Sequence, residues 1–186
     1  MVDADQRFAA LYQGHYAAIL RYACRRTDPD SARDVAAETF LVAWRRLADV
    51  PADPADAQPW LYGVARRVLA NSDRSRRRSE HLAARLTYSG TSAHHAPDLA
   101  DAVIERARLR QALQSLPEID QEVLRLVGWE ELDLAAAAIA MGCSRSTMAV
   151  RLHRARRRMI RAVRAVEAAD PAESIRARIP AEQETT

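Results

Sequence analysis

Apolar side chains recur along this chain at helical spacing. The first stretch sets Phe8, Leu11, Tyr12, Ile19, Tyr22 and Ala23 on one face. Asp28-Pro29-Asp30-Ser31 breaks it, and Asp30 or Ser31 can cap a second helix reaching about Leu47. Val35, Ala36, Phe40, Ala43, Trp44 and Leu47 give that helix a broad apolar face. The prolines at 51 and 54 predict a loop. Pro59 suits the first turn of a third helix, with Leu61, Val64, Ala65 and Val68 inward. Residues 87 to 98 are polar and carry glycine and proline, which predicts a linker. Helical periodicity resumes from Ala102 to Leu116, and a short helix follows from Ile119 to Val127. Beyond Asp170-Pro171 the tail is charged and without aromatics, and is expected to fray.

Residues 132 to 159 have helix-turn-helix anatomy. A helix of small residues comes first, with Leu134, Ala138 and Met141 inward. Gly142 can take the left-handed conformation that reverses the chain, and Ser144 is a good N-cap for the next helix. Met148, Leu152, Ala155 and Met159 form its buried stripe. Arg145, Ala149, Val150, His153 and Arg157 lie opposite, where the first turns of a helix in a major groove meet base edges. Arg151, Arg154, Arg156 and Arg158 are placed to grip phosphates. A generic helical hairpin gives the same apolar pattern, but not the coincidence with arginine density.

Charge sharpens the picture more than composition does. The 186 residues carry a formal net charge of +3, and all 28 basic residues are arginine. A lysine-free chain reads first as the mark of a GC-rich genome, and a preference of the arginine fork for phosphate and guanine adds to it. Alanine and arginine both favour helix, so the class is all-α. Seven arginines face two acids between Trp60 and Gly90, and eight arginines face none between Ser144 and Ala165. The rest of the chain is therefore acidic. Two such runs could be solvated helix faces, but together they point to polyanion contact at two places. His94-His95 has no third ligand nearby, and Cys24 and Cys143 make no metal spacing, so no metal or cofactor is expected. Both cysteines read as small hydrophobes in a reduced cytosolic protein. No apolar run approaches the ~18 residues of a membrane span, and the N-terminus lacks a signal-peptide stretch.

Four motifs in chain order resemble the bacterial RNA polymerase sigma factors of the extracytoplasmic-function (ECF) group. FAALYQGHYAAILRYACRRT is similar to the start of sigma domain 2, and Asp34, Glu38, Phe40 and Trp44 match its acidic helix. PWLYGVARRVLANSDRSRRR resembles the promoter-melting segment, and residues 116 to 159 resemble domain 4. The resemblance implies two small helical domains joined by a flexible linker: domain 2 over 1–86, linker 87–100, domain 4 over 101–168, and a tail over 169–186. It implies that Asp34 and Glu38, one helical face apart by four residues, dock on the beta-prime clamp helices of core polymerase, with the beta flap as a further contact. Tyr62, Arg66, Arg67, Asn71, Arg74, Arg76, Arg77 and Arg78 would bind and open the minus-10 element, where an extruded base needs a stacking platform and positive charge. The 50–58 loop would help hold that base. Arg145, Ser146, Thr147, Ala149, Val150, Arg151, His153, Arg154 and Arg157 would read the minus-35 duplex. Promoter DNA and an anti-sigma factor are the other implied partners, in the cytoplasm and at the nucleoid when polymerase is bound.

The chain departs from the commonest family pattern at Ala37, Arg67, Ala136, Ala137 and the Ala149-Val150 pair. Short apolar side chains at 149 and 150 can meet thymine methyls but make no bidentate hydrogen bonds. No phosphate loop, nucleophile elbow, Cys-x-x-Cys or His-Glu-x-x-His is present, so an enzyme is not expected. Two other functions remain open at this level: a stand-alone helix-turn-helix regulator, and an adaptor that binds only proteins.

Overall fold

The computed structural model describes residues 2–83 and 100–169, with side chains for 4–74 and 105–169. Regular structure among these residues is helical, as the periodicity predicts. In chain order the helices are α1 (Val2–Cys24), α2 (Pro29–Arg45), α3 (Pro54–Ala83), α4 (Ala100–Gln114), α5 (Glu118–Gly128), α6 (Leu134–Met141) and α7 (Arg145–Ala168). A single 3-10 turn, Leu47–Asp49, follows α2. Of the expected linker, residues 87–99 lie outside the described residues while Ala100 opens α4, and of the expected tail only residue 169 is described. The side chains of Arg76, Arg77 and Arg78 also lie outside the described residues.

The chain forms two units, Met1–Ser92 with Glu130–Met148, and Ala93–Trp129 with Ala149–Thr186. The first holds α1, α2, α3, α6 and the first turn of α7. Its core is made by Ile19, Tyr22, Val35, Phe40, Leu61 and Val64, all nearly or fully buried. Thr39 is buried among them and donates its hydroxyl to the Val35 carbonyl at 2.7 Å, which satisfies it within its own helix. Phe8 meets Trp44 edge-on at 5.0 Å and Tyr12 meets Phe40 at 4.8 Å. Tyr12 and Trp44, expected inward, are 40% and 43% exposed and form the rim of this aromatic cluster.

Two helix starts differ from expectation. Asp28, rather than Asp30 or Ser31, caps α2: its carboxylate accepts the Ser31 N–H at 3.0 Å. Pro29 then occupies the first turn, where its missing N–H costs nothing. The hydrogen bond holds the Asp28 carboxyl at about 2, well below its ordinary value. The third helix starts at Pro54, so half of the expected 50–58 loop is helical and Pro59 lies inside α3. Asp53 drives the early start, its side chain accepting the Ala55 N–H at 2.9 Å and its carbonyl the Ala57 N–H at 3.1 Å.

α6 is capped at both ends. The Asp133 carboxylate accepts the Ala136 N–H at 2.8 Å, and Gly142 adopts the left-handed conformation with φ 62°. Ala137, Ala138, Ala140 and Met141 are buried where α6 packs on α3. Ser144 caps α7 as expected, accepting the Thr147 N–H at 3.2 Å.

In the second unit Ala112, Leu116, Val123, Leu126, Leu152 and Ala155 are buried. Gln121 closes the turn at Pro117 by donating to the Leu116 carbonyl at 2.9 Å. Asp120 is buried in the first turn of α5 and accepts a hydrogen bond from Arg158 of α7. Arg158, expected to grip phosphate, thus ties two helices together. Among the described residues no helix is long and apolar enough to cross a membrane.

Candidate nucleic-acid interface

α3 carries one set of candidate side chains, and helical spacing distributes them between core and surface. Tyr62 faces inward at 3% exposure, stacked on Tyr22 at 4.9 Å, with its hydroxyl accepting from Gln58 Nε2 at 2.9 Å. Burial pushes its phenol pKa up. Arg66 is half-buried, and its Nε has no hydrogen-bond partner among the described residues. Arg67 and Asn71 are exposed, one turn apart, and line a cavity of about 260 Å³ with Glu38, Arg46 and Val64. Arg74 is exposed and donates to Asn71 Oδ1 and to the Ala70 carbonyl, both at 3.0 Å. The Asn71 carbonyl oxygen is therefore engaged locally.

Asp34 and Glu38 are both exposed on α2. They line a second cavity, about 310 Å³, together with Asp73 of α3. Val35, Val68 and Leu69 supply its apolar part. Carboxylates around an apolar floor suit a basic amphipathic element, whose stems cover the floor while its charges meet the acids. Glu38 lines both cavities, so the structure brings this acid beside Arg67 and Asn71, a juxtaposition that motif matching did not reveal.

On α7, Arg145, Ser146, Thr147, Ala149, Val150, His153, Arg154 and Arg157 are exposed, and Arg151 is half-buried. The Ser146 and Thr147 hydroxyls both hydrogen-bond Ser144 Oγ, at 3.0 and 2.8 Å. Those hydroxyls are thereby preorganised in the first turn. Val150 is 50% exposed, and no acidic side chain interrupts the helix before Glu167. An exposed, acid-free helical face of this kind can take a phosphate backbone with its arginines and base edges with its small residues.

Two residues with a defining place in the first unit escaped the sequence reading. Glu130 has a 4% exposed side chain that accepts from Arg25 at 3.0 Å and Arg26 at 2.9 Å. Gly63 lies where a Cβ would come within 3.0 Å of the Ala140 carbonyl oxygen. Glu130 sat in an unremarkable Trp-Glu-Glu stretch, and only the scarcity of glycine inside an otherwise strong helical pattern signalled Gly63.

Comparison with known proteins gives the family. Residues 11–79 match Sigma-70 region 2, and residues 106–159 match Sigma-70, region 4. The ECF RNA polymerase sigma factor SigL of Mycobacterium tuberculosis is 32% identical over 77% of this chain and 81% of its own length. RNA polymerase sigma factor YlaC of Bacillus subtilis is 30% identical over 78% of this chain and 86% of its own. In fold, the chain is similar to the sigma factor RpoE solved with the anti-sigma factor NepR from Bartonella quintana. The TM-score is 0.60 at 21% identity, covering 88% of this chain and 98% of that one. It is also similar to CnrH solved with the cytosolic domain of CnrY, at TM-score 0.57 and 21% identity, over 90% and 96% of the two chains. With both sigma regions present in order and relatives aligned over most of their length, the chain belongs to the ECF RNA polymerase sigma factors, which direct transcription initiation.

Proposed function

We propose that this alternative sigma factor divides promoter recognition between α3 and α7 and docks on polymerase through α2. The exposed, acid-free face of α7 is the observation that carries the reading. Arg145, Ser146, Thr147, Ala149, Val150 and His153 meet the minus-35 bases, with Arg151, Arg154 and Arg157 on phosphates. Arg66, Arg67, Asn71 and Arg74, continued by Arg76, Arg77 and Arg78, take the minus-10 strand. The buried position of Tyr62 supports a role in shaping that face from beneath, through its Tyr22 stack. Asp34 and Glu38, with Asp73 beside them, meet basic groups of the beta-prime clamp helices, and the beta flap is a second polymerase contact.

The region 2 match favours polymerase recruitment over a stand-alone regulator. The chain supplies binding energy for strand opening, polymerase supplies the chemistry, and both act in the cytoplasm. An anti-sigma factor is proposed as the regulatory partner, since relatives of the same fold are solved with one. Run-off transcription with core polymerase on a genomic promoter library tests the reading, and absence of core binding or of any directed initiation would sink it. Asp34→Arg should weaken core binding by about tenfold, because like charges then face each other. Duplex DNA affinity should stay unchanged, and equal loss in both assays would mean misfolding.

A further inference from the structure

The turn before α6, α6 itself and the α6–α7 corner meet the rest of the first unit at three points, one at the end of α1 and two on the promoter-melting helix. Glu130 is the first. Its carboxylate is enclosed between Arg25 and Arg26, and Arg26 is itself held by the Tyr22 carbonyl at 2.9 Å and lies 3.5 Å over the Tyr22 ring. Tyr22 in turn stacks on Tyr62 of α3, so the charge pair is anchored to the core rather than to a loose surface arginine. Gly63 is the second: a Cβ there would come 3.0 Å from the Ala140 carbonyl oxygen, so the α6 backbone would have to give by a few tenths of an ångström. Arg67 is the third, its guanidinium 3.6 Å from the position a Cβ would take on Gly142. A small-residue helix lying on a glycine, locked by a desolvated ion pair, is a built interface and not an incidental touch.

We propose that residues 130–148 act as an intramolecular clasp that keeps this sigma factor closed until its partners open it. The regulatory half of the proposal rests on the function argued above. There, α3 serves the minus-10 element and α7, which follows α6 after a three-residue turn, serves the minus-35 element. Elements so named lie about 25 base pairs apart, ~85 Å of duplex at ~3.4 Å per pair. With α6 packed on α3, the first turn of α7 is held in the same unit as α3, and two readers so tethered cannot serve two sites at that separation. The clasp must therefore release before both elements are engaged, and its free energy is subtracted from promoter binding. Release uncovers Gly63 on α3 and takes the Glu130 carboxylate away from Arg25 and Arg26.

The test uses the full chain as wild type, Gly63→Ala, Glu130→Arg, and Glu130→Arg combined with Arg25→Glu and Arg26→Glu. Gly63→Ala raises the helix propensity of α3 while pushing α6 away, so loss of the clasp is separable from loss of the helix. Amides of 134–141 should exchange about tenfold faster in Gly63→Ala and Glu130→Arg, with protection of 32–43 retained and the charge-reversed triple variant restored. With core polymerase on a promoter that wild type uses, the two opened variants should yield severalfold more transcript at limiting sigma factor. Unchanged exchange of 134–141 in both would overturn the clasp. Faster exchange with equal or lower transcript would overturn its inhibitory role. Wild type that fails on every promoter would overturn the sigma-factor reading and the inhibitory role with it, while exchange still decides the clasp.

Discussion

Tyr62 shows how one side chain changes meaning once its surroundings are known. The family resemblance implied a place for it in the minus-10 face, yet its α3 register buries it against Tyr22 and Gln58. Period-3.6 reasoning placed Leu61, Val64 and Ala65 inward and left Tyr62 out of that stripe, because Tyr22 comes from another helix and its position is set by packing. The raised phenol pKa has a direct readout. Ionising Tyr62 would cost folded-state energy, so its stabilising contribution is complete below the ordinary tyrosine range and fades as pH rises through its elevated value. Ultraviolet titration should show one tyrosine ionising later than the others, and Tyr62→Phe should abolish that late step. Asp28 behaves in the opposite sense: its carboxylate is held at about 2, so its cap is intact above the ordinary carboxylate range and is lost as pH falls through that value. A carboxyl resonance titrating near 4 instead would count against the cap.

Helices were the most legible level. The α5, α6 and α7 boundaries lie close to those the apolar spacing predicts, since Pro117, Gly142 and Ser144 punctuate the chain with groups of fixed backbone preference. The start of α3 was not legible, because the proline pair suggested a loop while the capping by Asp53 was a local hydrogen bond that composition does not weigh. Gly142→Ala should cost about 1 kcal/mol, the strain of a side chain in the left-handed region, read by denaturant melting. Asp120 presents the other case: periodicity gave it no role, because its pairing with Arg158 joins helices 38 residues apart in the chain. Asp120→Ala should destabilise the second unit by about 2 kcal/mol, since it removes a charged hydrogen bond and a favourable charge in the first turn of α5. Protection lost equally in both units would argue against so local a role.

For the whole molecule, the net charge of +3 hides its arrangement. An α7 without acids before Glu167 and an arginine-rich α3 oppose an acidic remainder, so nucleic-acid affinity should fall steeply with salt although the overall charge is small. Each arginine released from a phosphate should lower the slope of log affinity against log salt by about 0.9. Arg151→Ala should therefore weaken duplex binding alike across sequences, and a changed sequence preference would contradict a phosphate role. The same arrangement makes the two halves of the chain answerable to each other through the Gly63–Ala140 approach. Positions so distant in sequence then share one inheritance. Among relatives that close in this way, a side chain gained at 63 should be tolerated only where the helix equivalent to α6 has shifted or lost its small residues. The pair should vary together, as a record of which family members keep themselves shut and which rely wholly on others to restrain them.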